Sequence, residues 1–219
     1  MMLPTHAIAG MAVALPVALA VPELGSVALV AGFVGGIVPD LDMYAGHRKT
    51  LHYPAYYSAI AAVTALVAVL VPTPVTVAVA FLLIGAALHS LTDVFGGGLE
   101  LRPWEATSDR AVYDHYRDQW IRPRHWVRYD GAPEDLGVAI VLAVPLVATL
   151  GGTLELLVVA SLVVAAGYTA VRRSLPVLAE RLVEQVRRAN RATAVLAYLP
   201  ARYTEASDER TGPSRAEEQ

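Results

Sequence analysis

No cysteine occurs anywhere in the 219 residues, which removes disulfides and thiolate metal sites together and leaves the redox compartment unspecified. Charge is scarce as well. Charged residues make up 17% of the chain and the net charge is -3, too small to imply a polyanion such as nucleic acid as partner. Lysine occurs once, at Lys49. Repeats of solenoid length are missing, and the opening M-M-L-P-T-H lacks the positive n-region of a secretory signal. What fills the chain instead is apolar: 55% hydrophobic residues and a mean hydropathy of +0.47 point to a bilayer.

The apolar residues fall into segments. Ala7 to Val21 and Leu24 to Val38 are each short for a span, so they read as tilted spans or as a re-entrant pair hinged at Pro22-Glu23. Ala55 to Val71 and Thr76 to Leu91 are joined by the P-T-P turn at 72–74, where proline cannot continue a helix. Leu136 to Leu150 and Thr153 to Val171 turn at Gly151-Gly152. The expectation is an all-α membrane bundle of about six spans in three hairpins, occupying residues 1–172, with a polar loop at 93–135.

Beyond it, Leu175, Leu178, Leu182, Val186, Ala189, Thr193 and Leu196 recur at steps of three and four among Glu and Arg. That spacing predicts an amphipathic helix within 173–200, lying on the inner leaflet or pairing with a second copy in a homodimer. The tail 201–219 is rich in Ser, Glu and Arg, a composition that predicts disorder.

Charge also orients the chain. All 17 Lys and Arg residues fall within 39–54, within 93–135, or from Arg172 onward. Because cytoplasmic loops collect Lys and Arg, both termini and both long loops are expected on the cytoplasmic side of the inner membrane. His6, Asp40, Asp42, His47, His52, His89 and Asp93 then all lie at the cytoplasmic ends of their segments.

Each of these motifs has a plain reading beside a functional one. His89 and Asp93 sit four apart and share a helix face, as cation ligands do, but helix ends collect polar residues anyway. Asp40 and Asp42 in P-D-L-D suit a loop turn or an N-cap as readily as a ligand pair. His47 and His52 in H-R-K-T-L-H add two imidazoles, and His6 would ordinarily be a surface histidine. Convergence on one face favours a divalent cation that holds the carboxylates together. Imidazole and carboxylate without sulfur suit zinc first, with manganese or iron as alternatives. Arg48 either grips a phosphate oxygen or serves as a positive-inside determinant. Gly96-Gly97-Gly98 lacks the spacing and lysine of a phosphate loop and reads as a turn. Trp104, Trp120 and Trp126 read as interface anchors, and His115 as a solvated loop residue.

In order along the chain stand T-H-x-x-x-G (Thr5, His6, Gly10), P-D-x-D (Pro39 to Asp42), H-R-x-x-x-H (His47 to His52) and H-x-x-x-D with a glycine turn and L-x-P (His89, Asp93, Gly96 to Gly98, Leu101, Pro103). Together they resemble the YdjM-like family of membrane-bound, metal-dependent hydrolases, described as inner-membrane and LexA-binding. The resemblance covers residues 1–104. That family is distantly similar to zinc-dependent phospholipase C and the P1-type nucleases. The similarity implies Asp40, His52, His89 and Asp93 as metal ligands and adds His6 and Asp42, while His47 matches a further family position. Tyr53 stands where many members carry Ser.

The reading that results is a metal-dependent hydrolase of a phosphoester, such as a phospholipid or polyprenyl phosphate, at the cytoplasmic leaflet. In it Asp42 is base or bridging ligand, and Arg48 stabilises charge on the attacked group. The alternative is a structural metal that ties the hairpins together while the cytoplasmic loop docks a regulatory protein. A transporter would need ionisable groups at mid-membrane, and the segment middles offer none.

Overall fold

Proline sets most of the helix starts. It stands at the first or second helical position of α1 (Leu3–Ala20), α2 (Pro22–Gly35), α3 (Pro54–Leu70), α4 (Pro74–Thr92) and α5 (Pro133–Thr149). Its missing N–H is no loss there, and its fixed φ is already helical. At α4 a reciprocal capping box between Thr73 and Thr76 adds to the start. The structure, a computed structural model, describes residues 1–188. Among them are seven α-helices, completed by α6 (Gly152–Val171) and α7 (Leu175–Arg188).

Four helical stretches, Leu3–Ala20, Pro22–Tyr44, Pro74–Phe95 and Gly152–Val171, are long and apolar enough to cross a membrane. These mark a multi-pass membrane protein. The second is α2 continued by a 3-10 helix, Val38–Tyr44. The other two of the six expected segments, α3 and α5, have 17 residues each, the short end of the range that crosses a bilayer, and α5 carries Glu134 and Asp135 in its first turn. The helical expectation holds for the bundle, and the polar loop adds a little strand to it. The polar loop holds an antiparallel ribbon of β1 (Val112–Asp114) and β2 (Gln119–Ile121), pairing Val112 with Ile121. Strands this short carry too few residues for an alternating pattern to be read.

Helices α1, α2 and α4 form the centre, α3 packs on α4, and α5 with α6 flanks α1. The central three approach at backbone distance. A Cβ on Gly85 would stand 2.6 Å from the Gly32 carbonyl oxygen and 2.8 Å from the Gly36 nitrogen, so only glycine lets α4 sit this close to α2. Ile8, Met11, Ala28, Leu29, Ala143, Leu146 and Val158 fill the core around this contact. The outer faces of α3 and α6 carry exposed Val63, Leu66, Val69, Leu156 and Val163. Apolar faces of this extent are what acyl chains cover.

The polar loop folds back over one end of the bundle. Arg124, His125 and Val127 donate backbone hydrogen bonds to Val94, Gly96 and Phe95, and Tyr113 donates to the Arg48 carbonyl. Asp135, at the start of α5, accepts from the Met2 nitrogen and Thr5 Oγ1, each at 2.7 Å. At the end of α6, Asp130 accepts from Arg172 and Tyr168. The expected amphipathic helix is present as α7, where Glu180 pairs with Arg102 and Val183 is buried while Leu178 and Leu182 stay exposed. Residues 189–200 of that expectation, and the tail 201–219, lie outside the described residues.

Candidate metal centre

The site begins at Gly36. The chain leaves α2 there, turns through the 3-10 helix that carries Asp40 and Asp42, and returns through His47 and Arg48 to His52 just before α3. Arg48 has a positive φ of 60°, the tight point of that return. Asp42 holds the return together. Its Oδ1 faces His47 Nδ1 at 3.1 Å and the Arg48 N–H at 3.3 Å, and its Oδ2 faces His52 Nδ1 at 2.9 Å and the Leu51 N–H at 3.0 Å.

From α4 come His89 and Asp93, one helical turn apart and both buried. The Nδ1–H of His89 donates to the Gly36 carbonyl at 2.6 Å, and His6 of α1 stacks on the His89 ring at a centroid distance of 3.7 Å. A Cβ on Gly36 would lie 2.7 Å from the His6 carbonyl carbon, so glycine is what lets α1, α2 and α4 meet here.

Asp40, His52, His89 and Asp93 thereby each turn one ligand atom towards a common point, all within 4.8 Å of one another. This group can hold a metal ion. His89 Nε2 lies 3.3 Å from Asp40 Oδ1 and 3.5 Å from Asp93 Oδ2; His52 Nε2 lies 3.7 Å and 3.5 Å from the same two atoms. A tetrahedral ion with bonds of about 2.0–2.1 Å separates its ligands by roughly 3.3–3.4 Å, so the gaps need only close slightly.

The hydrogen bonding of the two imidazoles points the same way. Each commits Nδ1 outward, to Asp42 or to Gly36, so the lone pair of a neutral ring sits on Nε2. Both Nε2 atoms are sealed from solvent without a hydrogen-bond partner. Buried polar atoms left so are costly, and two converging on two carboxylates fit an ion between them.

The remaining expected residues sit around this group. His6 Nε2 is 2.9 Å from Asp93 Oδ1, and His6 Nδ1 is 3.2 Å from Thr92 Oγ1. It touches the outer oxygen of Asp93, which also meets the Met1 amine nitrogen at 2.6 Å. His47 Nδ1 is 3.8 Å from Asp40 Oδ1 but closer to Asp42. Asp42 falls outside the four-donor group, since both of its oxygens are taken by imidazole and backbone N–H groups. Arg48 is buried: Nη1 donates to the Gly97 carbonyl at 2.7 Å, and Nε lies 3.4 Å from Asp93 Oδ2. It joins the glycine turn of the polar loop to the metal centre.

Two loop imidazoles have different surroundings. Burial works against the charged form of His52, but Asp42 and Asp93 outweigh it and hold its affinity for a proton above the ordinary imidazole value. Burial also dominates at His47, which is pushed down despite Asp42 because Arg48 is its neighbour. Tyr53 turns away from the centre and stacks on His115 at 4.4 Å, while His115 Nε2 meets the Lys49 carbonyl oxygen at 2.7 Å. Trp126 is exposed against Phe95, whereas Trp104 packs on Tyr129 beneath Arg173.

Gly36, Thr92 and Asp135 support the site and were missed as functional in the sequence. The pair Gly35-Gly36, two residues before P-D-L-D, is the one signal that could have pointed to a close approach. No family model, curated protein or solved structure matches this chain.

Proposed function

We propose that the protein is a membrane-embedded, metal-dependent hydrolase of the YdjM-like kind, acting on a phosphoester at the cytoplasmic leaflet. The observation that carries this reading is the pair of orphaned Nε2 atoms of His52 and His89 facing Asp40 and Asp93. Nitrogen and oxygen donors in equal number favour zinc, with manganese or iron next. When bound, the ion supplies Lewis-acid polarisation of the phosphoester.

The chain's own residues then have definite tasks. Asp42 and the Gly36 carbonyl fix the tautomers and directions of His52 and His89. Asp40 and His47 border a cavity of about 230 Å³ and are the polar groups placed to meet a substrate. Arg48, between Asp93 and the glycine turn, contributes positive charge at the same wall. Helix-end placement and the distribution of Lys and Arg favour cytoplasmic headgroup depth for this centre.

A second reading keeps the metal and drops the chemistry. Four protein donors already satisfy a structural zinc site, and the ribbon and α7 would then offer a surface to a regulatory protein. The cavity against Asp40 favours the first reading, because a closed structural site has no need of one. The test is hydrolysis of phosphodiester and phosphomonoester reporters by detergent-purified, metal-loaded protein beside its His89→Ala variant. Turnover lost in the variant supports the hydrolase; a loaded wild type inert on every reporter supports the docking reading.

A further inference from the structure

A second cavity, of about 190 Å³, lies where the 3-10 turn Pro103–Glu105, the stretch around His125 and the joint between α6 and α7 come together. No residue of the metal centre lines it. Trp104 and Tyr129 form its aromatic wall, His125, Arg128 and Arg173 are its basic side chains, and no Asp or Glu belongs to the lining. Arg128 gives Nε and Nη2 to Glu134 at 2.5 Å and 3.1 Å, which leaves Nη1. The Arg173 guanidinium lies over the Trp104 ring at 5.3 Å and over the Tyr129 ring at 5.8 Å. The rings take its face, whereas its N–H donors lie in its plane. No carboxylate among the described residues pairs with them, and the His125 ring makes no hydrogen bond among the described residues.

Backbone shape adds a second observation. Ala106 and His125, both on the cavity wall, have positive φ values of 52° and 54°. Residues with a side chain rarely take that conformation, which persists where the surroundings hold it, as they do around ligands. At His125 the N–H donates to the Gly96 carbonyl at 3.2 Å and pins the turn. The surface beside the cavity is apolar: Val171 at the end of α6 and Val177 and Leu178 at the start of α7 are exposed on either side of Arg173 in the chain. Cation and apolar surface together suit a phosphate that carries acyl chains. With no acid in the lining, the ammonium of a zwitterionic headgroup finds no partner there, while an uncompensated phosphate does.

We infer that this cavity binds the phosphate of an anionic phospholipid, at a site separate from the metal centre and independent of any hydrolysis there. Arg173 meets the phosphate through its N–H edge, Arg128 adds its Nη1, and the chains lie along Val171 and Leu178. An α6 long enough to span a bilayer ends at Val171, so Arg173 stands at the level of the headgroups.

The full chain in maltoside detergent is titrated with dioctanoyl phosphatidylglycerol and with dioctanoyl phosphatidylcholine, and bound lipid is counted by native mass spectrometry. Wild type is expected to prefer the anionic lipid by roughly three- to ten-fold, the size of one or two charge-assisted contacts at a half-exposed site. Arg173→Gln is expected to lose most of that preference and Arg128→Gln part of it, with the melting temperature of each lipid-free variant confirming the fold. Arg181→Gln removes the same charge from an exposed position of α7 outside the cavity and is expected to keep the preference. Inorganic phosphate is expected to compete poorly, since it lacks the chains. Equal affinity of wild type for the two lipids, a preference surviving in folded Arg173→Gln and Arg128→Gln, an equal loss in Arg181→Gln, or competition by inorganic phosphate at lipid-like concentration each overturns this inference. None of these outcomes bears on the hydrolase reading, which is tested by turnover.

Discussion

Oδ2 of Asp42 accepts a hydrogen bond from Nδ1 of His52 at 2.9 Å, and this contact turns the unpartnered Nε2 of His52 towards Asp40, His89 and Asp93. An ion held there would complete a chain in which the carboxylate acts on it through the ring. Asp42→Asn should therefore weaken metal binding by about 10–100-fold without abolishing it. Asp40→Ala should remove a ligand outright and weaken binding much further. Competition titration with a chromogenic chelator separates the two; equal losses would place Asp42 among the ligands themselves.

Gly36 is the point where three helices meet. Gly36→Ala would force its Cβ against the His6 carbonyl and shift the oxygen that holds His89. The expected cost is about 1–3 kcal/mol of stability, with a parallel fall in metal affinity. Thermal unfolding in detergent with and without zinc checks it. An unchanged melting temperature would mean the helices approach less closely than described.

The raised proton affinity of His52 gives a pH signature. In metal-free protein the extra stability from His52 is fully present below its ordinary value of about 6.5 and is lost as pH rises through the raised folded value. The metal-loaded protein runs the other way, because the ion needs neutral imidazole and a falling pH hands its place to protons. Melting temperatures from about pH 6 to about pH 9 should fall for the metal-free form and rise for the loaded one. Parallel curves would contradict a shared position for proton and metal.

Arg48→Lys tests whether this side chain ties the loop or acts on substrate. Lysine offers one ammonium where the guanidinium reaches both the Gly97 carbonyl and Asp93. The expected result is lower thermal stability, by about 1–3 kcal/mol, and faster proteolysis in the polar loop with metal retained. Stability unchanged and turnover alone reduced would show that Arg48 serves the reaction and not the loop.

Much of this architecture is written in residue pattern. The three helix pairs follow from apolar runs broken by proline and glycine, and the motifs around Asp40, His52, His89 and Asp93 mark the donors before any geometry is known. Helix bounds were less legible: α5 begins at Pro133, ahead of the apolar run from Leu136 that marks it. The β ribbon was invisible, since two three-residue strands leave no periodicity. Within the site, the division between Asp40 and Asp42 had no sequence signal: two acids two residues apart look alike until the return of the chain to His52 puts one on the imidazoles and the other in the four-donor group. Arg48 was legible as a cation able to grip an anion or to mark the inner side, but its bond to Gly97 depends on a fold-back of the polar loop that no spacing records.

Metal stoichiometry decides the central claim most directly. Elemental analysis of detergent-purified wild type beside His52→Ala and His89→Ala should find about one tightly held divalent ion per chain in the wild type and a large loss in each variant. An equal metal content in all three proteins, or none in a wild type refolded or dialysed against zinc, would contradict it.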